Sequence, residues 1–231
     1  VGSEMCIRDR YKCIIIEAQS WSMKGCRMPR VVNEEERRRS IADAALTLIA
    51  KDGLESATFR AIARERGLSL GAIQHSFEDQ AQLRQCVVSR FIQQVEDRLV
   101  ALDEHMAQHS PGSPNWFEAI VSLLLELLPL DEGRRAEARI WEAFAHASIT
   151  DEQLAPFYRR LDSALDRFCV SLVAQMKADS LVDEKLDDRL EGARLHALLD
   201  GLTLQLLNDS SRENRSFAEM VLRCHMATLV S

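Results

Sequence analysis

Apolar residues recur every three or four positions along most of the chain, which is the spacing of an amphipathic α-helix. The first clear run predicts a helix that ends at Gly53, with apolar side chains at Ile41, Ala44, Ala45, Leu48 and Ile49. Thr58 is a good N-cap for a second, short helix that ends at Gly67. The apolar side of this second helix carries Phe59, Ile62 and Ala63.

A third short helix is predicted directly after the second. Ser69 can cap it, and it spans Leu70–Ser76, with Ile73 and Phe77 pointing into the core. Gly71 is small enough to let another surface approach this helix closely. Two short helices joined by a tight turn and braced by a longer helix are typical of a helix-turn-helix motif.

The rest of the chain is also predicted to be helical. Asp79 is a plausible N-cap for a long helix with apolar positions at Leu83, Val87, Phe91, Val95, Leu99 and Leu102. A loop at 110–114 separates it from five further helices, predicted at 116–128, 132–147, 154–177, 186–207 and 217–230. Because helix formers outnumber strand formers throughout, the predicted fold class is all-α, with an N-terminal three-helix domain and a C-terminal helical domain.

Composition excludes several classes of protein and divides the chain. The 231 residues are 46% hydrophobic and include only 9 Gly and 5 Pro, which argues against bulk disorder. No run of about 18 apolar residues occurs, so no membrane span is expected. Residues 1–27 lack periodicity and are expected to be a non-native or disordered leader, followed by domains at 28–83 and 84–231. Charges balance over residues 28–86, whereas 87–231 carry a net charge of −9.

Cysteine usage gives an expectation about location. The 6 cysteines show no CxxC spacing, which favours buried apolar thiols in a reduced compartment. A cytoplasmic protein without a metal or another cofactor is therefore expected.

At residues 40–83 the sequence resembles the DNA-binding domain of the TetR family of bacterial transcriptional regulators. The matching signals are Gly53, Thr58 with Ile62 and Ala63, Gly67-Leu68-Ser69, Gly71, and His75 followed by Phe77. The chain departs from the family where Gln74 replaces the usual Tyr, Ser76 replaces an aromatic residue or His, and Gln80 replaces a common phosphate-contacting Lys. Loss of that lysine either lowers DNA affinity or shifts the phosphate contacts to Arg60 and the Arg37-Arg38-Arg39 cluster.

Side-chain chemistry suggests how such a motif contacts DNA. The amide of Gln74 suits adenine N6 and N7, Leu70 and Ala72 can touch thymine methyl groups, and His75 can donate to a phosphate or a guanine. Thr58, Arg60 and Ser69 lie at helix N-termini, where phosphates bind readily, although the two hydroxyls can equally be simple caps and Arg60 a solvated charge. The predicted DNA-binding residues are Thr58, Arg60, Ser69, Leu70, Gly71, Ala72, Gln74, His75 and Ser76.

The last two predicted helices have wide apolar faces that favour pairing with a second copy. The expected homodimer interface comprises Leu195, Leu198, Leu202, Leu206, Phe217, Val221, Cys224 and Leu229. The alternative is that both helices lie in the interior of one subunit. The family resemblance favours the dimer, and residues 139–147 and 197–207 are similar to the C-terminal domain of the choline-sensing, BetI-like branch.

Candidate ligand chemistry is concentrated in the C-terminal domain. The candidate pocket residues are Trp116, Trp141, Phe144, Tyr158, Phe168, His196 and Asp200, although aromatic residues at helical spacing are more often part of a core. His196 with Asp200 one turn later is either a structural pair or the polar corner of a pocket. No GxSxG, Walker or GxGxxG pattern occurs, so nothing in the sequence indicates catalysis.

These patterns together predict a homodimeric DNA-binding regulator. Its expected partners are double-stranded operator DNA of pseudo-palindromic sequence and a small-molecule effector of unknown identity that releases it. Two alternatives stay open at this point: a helical protein that binds small molecules but not DNA, and a helical enzyme.

Overall fold

The computed structural model describes residues 29–106, 116–209 and 211–230. The predicted leader at 1–27 and the predicted loop at 110–114 lie outside these residues. Within them the fold is all-α, as predicted. The helices are α1 (Pro29–Asp52), α2 (Phe59–Arg66), α3 (Leu70–Ser76), α4 (Gln80–Met106), α5 (Trp116–Leu125), α6 (Glu132–Ser148), α7 (Ala155–Ala178), α8 (Asp188–Asn208) and α9 (Arg212–Leu229).

The chain divides into two compact units, one ending at Glu104 and the other beginning at His105. The first unit packs α1 against both short helices, α2 and α3. Its core is formed by side chains that are at most 2% exposed: Ile41, Ala45, Ile49, Ile62, Ile73, Phe77, Leu83, Val87 and Phe91. Arg90 of α4 also forms an ion pair with Asp43 of α1 at 2.6 Å.

Local capping explains where the short helices begin and end. The Thr58 hydroxyl accepts a hydrogen bond from the Ala61 amide at 3.2 Å, so Thr58 caps α2 as predicted. Gly67 ends α2 with φ of 64°, a left-handed conformation that glycine adopts without steric cost. Asp79 accepts a hydrogen bond from the Gln82 amide at 2.7 Å at the start of α4, which confirms the predicted cap.

The second unit is built around α7 and α8, and α6 packs against both of them. Gly192 of α8 lies directly against the α7 backbone, because a Cβ placed on it would be 2.6 Å from the Cα of Val170. The helix α9 packs against α8 and α5. None of the helices α1–α9 combines the length and the hydropathy of a membrane-spanning segment within the described residues.

Two helix ends differ from the sequence prediction. The predicted helix at 116–128 ends at Leu125, because Pro129 disfavours helical backbone before it and the chain tightens into i+3 turns. The predicted helix at 217–230 begins earlier, at Arg212, where the Ser211 hydroxyl caps it by accepting from the Asn214 amide at 3.1 Å. The first turn of α9 is polar, so it carries no apolar periodicity that could have indicated it.

Candidate DNA interface and acidic cluster

The helix α3 presents one face to solvent and one to the core of the first unit. Gly71, Gln74 and His75 are exposed, and Leu70 and Ala72 are partly exposed. Ile73 and Phe77 are at most 1% exposed, as predicted. Ser69 caps the helix by accepting from the Ala72 amide at 3.2 Å. The exposed residues therefore lie on one short, fixed surface helix.

Ser76 does not belong to this exposed face, which corrects the sequence-based assignment. Its side chain is only 1% exposed, and its buried hydroxyl has no hydrogen-bond partner within the part of the chain that the structure describes. Its carbonyl oxygen, in the last turn of α3, accepts two hydrogen bonds from Arg38, from Nε at 2.9 Å and from Nη2 at 2.6 Å. Ser76 therefore takes part in attaching α3 to α1 and is too buried to touch DNA.

Arg38 is a positioning residue, whereas the sequence suggested it only as a phosphate contact within the Arg37-Arg38-Arg39 cluster. Besides holding Ser76, it donates to Oε1 of Gln82 at 3.2 Å, and its guanidinium lies 5.0 Å from the ring centre of Phe77. Of the predicted arginine cluster, Arg38 thus faces inward. Arg39 is exposed and forms an ion pair with Glu35 at 3.6 Å.

The remaining predicted DNA-binding residues lie at helix N-termini. Thr58 and Ser69 are exposed and act as caps, and Arg60 is exposed in the first turn of α2. Gln80, where a lysine is common in the resembling family, donates from Nε2 to the Ala57 carbonyl oxygen at 2.8 Å. Its amide therefore ties α4 to the segment that precedes α2.

In the second unit, α7 and α8 bring three aspartates around one histidine. His196 Nε2 lies 3.5 Å from Asp200 Oδ2 and 3.7 Å from Asp162 Oδ1, and its Nδ1 lies 3.9 Å from Asp166 Oδ1. The His196 side chain is only 12% exposed, and Nε2 has no hydrogen-bond partner among the described residues. We call Asp162, Asp166, His196 and Asp200 the acidic cluster. Of these four residues, only His196 and Asp200 on α8 were predicted from the sequence.

Aromatic residues of α6 and α7 lie next to the acidic cluster. Trp141 and Tyr158 meet edge to face with ring centres 6.0 Å apart. Burial, followed by the charges of Asp162, Asp200 and Glu142, raises the pKa of Tyr158 to about 12. Burial and then Asp200 raise the pKa of Glu142. These shifts place several carboxylates in one partly desolvated region of negative charge.

Burial raises the pKa of Asp200 as well. The nearby His196 opposes this shift and Asp162 reinforces it.

The other predicted pocket residues lie deeper in the second unit. Trp116, Phe144 and Phe168 are 6%, 3% and 7% exposed. Trp116 lies on α5, which packs against α9. The burial of these three residues fits the alternative that they are core, whereas Trp141, Tyr158, His196 and Asp200 are each partly exposed.

Half of the residues predicted to form the dimer interface are instead buried within one subunit. Leu195, Leu202, Leu206 and Leu229 are at most 6% exposed within one subunit, so they form its own core and have little surface to offer a partner. Leu198 and Val221 are partly exposed and Cys224 is exposed, while Phe217 is 52% exposed. The large apolar residues that the two helices do expose are Leu190, Leu204, Phe217 and Met220.

A helix-turn-helix unit with capped helices, followed by a second helical unit, is typical of two-domain DNA-binding regulators. Residues 41–85 match the family described as "Bacterial regulatory proteins, tetR family", and residues 117–231 match the "BetI-type transcriptional repressor, C-terminal" family. The chain belongs to the TetR family and is a transcriptional regulator, as the resemblance of residues 40–83 implied.

Individual relatives support this assignment along most of the chain. The HTH-type transcriptional regulator PksA of Bacillus subtilis is 30% identical over 205 residues, covering 87% of this chain and 94% of its own. BetI of Serratia proteamaculans is 30% identical over 179 residues, covering 77% and 84%. A transcriptional regulator from Saccharomonospora viridis, solved in complex with choline, shares the fold with a TM-score of 0.72 at 19% identity, covering 85% and 99%.

Proposed function

We propose that this regulator is a homodimer that reads a pseudo-palindromic operator with α3 and is released by a small cationic effector. The observation that carries the DNA-binding part is the arrangement of α3. This helix is capped by Ser69 at one end and held by Arg38 at the other, and it exposes Gln74 and His75. A short helix fixed at both ends can enter the major groove without first having to become ordered.

We assign different roles to the exposed residues of the first unit. Gln74 is the residue that reads a base, because its amide can donate to and accept from adenine. Arg60, with the hydroxyls of Thr58 and Ser69, contacts phosphates at the helix N-termini, where backbone N–H groups and the helix dipole favour negative charge. Gly71 lets the DNA approach, because no heavy atom lies within 4 Å of the position of its absent Cβ.

The homodimer is supported by the surface that α8 and α9 leave exposed. Along α9, Phe217, Met220 and Cys224 are exposed and are spaced by three and four residues, so they lie on one face. Along α8, Leu190 and Leu204 are each 51% exposed. Large exposed apolar side chains on two neighbouring helices are typical of a self-complementary interface. The proposed interface therefore keeps the predicted helices but uses their outer faces.

A cationic effector is supported by the charges and aromatic rings of the second unit. Trp141 and Tyr158 offer π faces, and Glu142, Asp162 and Asp200 carry carboxylates beside them. A cation over a desolvated aromatic ring gains about 0.5–2 kcal/mol. The match of residues 117–231 to BetI-type repressors and the choline bound to the S. viridis regulator support a quaternary amine.

Release from DNA follows if the effector binds better to the conformation that does not fit the operator. Such coupling between two sites is typically about 1–3 kcal/mol, which is roughly a 5- to 150-fold loss of DNA affinity.

The test is a titration of labelled DNA from upstream of the chain's own gene, with choline, betaine and neutral aromatic compounds added in turn. We expect choline or betaine to lower operator affinity. Trp141→Leu should remove this response while leaving DNA binding without effector unchanged. Release by a neutral aromatic compound but not by either cation would contradict the cationic assignment. DNA binding itself would then stand.

A further inference from the structure

We propose that Asp162, His196 and Asp200 bind one divalent transition-metal ion between α7 and α8. One atom from each residue, an imidazole nitrogen or a carboxylate oxygen, lies within 4.8 Å of the others. This set of ligands could not be predicted from the sequence, because the residues come from two helices that only the fold brings together. Asp162 and Asp200 also lie beside the organic-cation site proposed above, but His196 belongs only to the metal site and Trp141 only to the organic-cation site, so the two proposals are tested separately.

The distances fit metal ligation better than direct hydrogen bonding. His196 Nε2 lies 3.5 Å from Asp200 and 3.7 Å from Asp162, which is long for a hydrogen bond between these groups. Bonds of about 2.0–2.2 Å at a tetrahedral centre place neighbouring ligand atoms about 3.3–3.6 Å apart. An ion placed between the three groups would also satisfy the buried Nε2, which has no hydrogen-bond partner among the described residues.

The other ring nitrogen of His196 also has a suitable neighbour. A metal-bound histidine usually donates its second ring N–H to a carboxylate or carbonyl, which fixes the ring orientation. Here Nδ1 lies 3.9 Å from Asp166 Oδ1, one turn along α7 from Asp162. At 3.9 Å the two atoms do not form a hydrogen bond, so Asp166 would act as a positioning residue only after the ring moves slightly toward it on binding the ion. The two pairs, Asp162 with Asp166 and His196 with Asp200, each have the i, i+4 spacing that puts both side chains on one helix face.

Charge and access support the same conclusion. Among the described residues no lysine or arginine forms an ion pair with Asp162, Asp166 or Asp200, so His196 is their one basic neighbour there and a bound cation would balance the negative charge of the cluster. The Asp162 and Asp200 side chains are 41% and 47% exposed, which leaves a route from solvent. One imidazole with two carboxylates suits zinc, cobalt, nickel or manganese.

The experiment uses the untagged full-length chain, freed of metal with a chelator. Zn²⁺ binding is measured by calorimetry, and Co²⁺ binding by its visible absorption, which reports coordination geometry. We expect one ion per chain in the wild type. His196→Gln and Asp162→Asn should each weaken binding by more than about 100-fold, and Asp166→Asn by about 10- to 100-fold. His146→Gln, at an exposed position on α6, is the matched control and should bind as the wild type does.

Circular dichroism shows whether a variant that loses metal binding is still folded. If His196→Gln does not fold, Asp162→Asn and Asp166→Asn provide the same test. Trp141→Leu should keep the metal affinity, which distinguishes this site from the proposed organic-cation site. Equal affinity in the wild type and a folded His196→Gln would overturn the proposal. Absence of Co²⁺ absorption in the wild type at millimolar metal would overturn it too.

Discussion

Replacing Arg38 with alanine tests how α3 is held in place. A helix of 7 residues is too short to be stable by itself, so its position depends on contacts with the rest of the unit. Arg38 supplies two hydrogen bonds to the Ser76 carbonyl, at 2.9 and 2.6 Å, and a guanidinium 5.0 Å from the Phe77 ring. Arg38→Ala removes all of these contacts at once.

The expected loss of stability follows from the kinds of contact. A hydrogen bond that involves a charged group contributes about 1.5–3 kcal/mol, and a half-exposed cation–π contact about 0.5–1 kcal/mol. Because both hydrogen bonds share one acceptor and Arg38 is only partly buried, we expect a total loss of about 2–3 kcal/mol. The neighbouring Arg39→Ala should cost less than about 1 kcal/mol, because Arg39 makes only an exposed ion pair with Glu35.

Urea unfolding gives the free energy of unfolding of each variant, Arg38→Ala and Arg39→Ala. All samples are kept at one protein concentration, because the stability of a dimer depends on concentration. Operator affinity is then measured for both variants at the same salt concentration. The two substitutions remove the same charge, so any additional loss of specific binding in Arg38→Ala reports the position of α3. Equal unfolding midpoints for Arg38→Ala and Arg39→Ala would refute this role of Arg38.

Three further predictions follow from packing, exposure and burial. Gly192→Ala should lower the free energy of unfolding by about 1–3 kcal/mol in urea titrations, because the new Cβ would lie 2.6 Å from the Val170 Cα. A gain of about 1 kcal/mol, as expected for Gly→Ala in an open helix, would contradict the close packing of α8 on α7. Phe217→Asp should change the protein from a dimer to a monomer in sedimentation, whereas Ile149→Asp, at a site that is 78% exposed, should remain a dimer. A dimeric Phe217→Asp would rule out the exposed apolar face of α8 and α9 as the interface. Burial raises the pKa of Cys169 to about 12, so iodoacetamide at neutral pH should alkylate this thiol only after the protein unfolds. Mass spectrometry measures the alkylation, and labelling of Cys169 in the native state would contradict its burial.

The sequence was sufficient wherever structure depends on neighbouring residues. Thr58, Ser69 and Asp79 cap helices because their oxygens reach an amide three residues further on. Gly67 ends α2 because it adopts a positive φ at no steric cost. Such features depend on a few consecutive residues, so the positions of α2 and α3 could be predicted from composition and spacing alone.

The sequence was insufficient wherever the partner of a side chain is distant. Leu195 and Leu202 lie on an apolar face, but periodicity does not distinguish a face buried within the subunit from one buried against a second copy. Arg38 and Ser76 are 38 positions apart, so their contact leaves no local pattern. Asp162 joins His196 only through the packing of α7 on α8, which the spacing within each helix does not reveal.

Operator recognition by α3 is tested most directly by binding of the purified chain to its own upstream DNA and to a scrambled duplex, measured by fluorescence anisotropy over a range of salt concentrations. We expect a clear preference for the upstream sequence. Gln74→Ala should reduce that preference by about 1–3 kcal/mol, whereas Arg60→Ala should weaken binding to both duplexes and flatten the salt dependence. Equal affinity of the wild type for both duplexes, or identical behaviour of the two variants, would contradict the claim that α3 reads the operator.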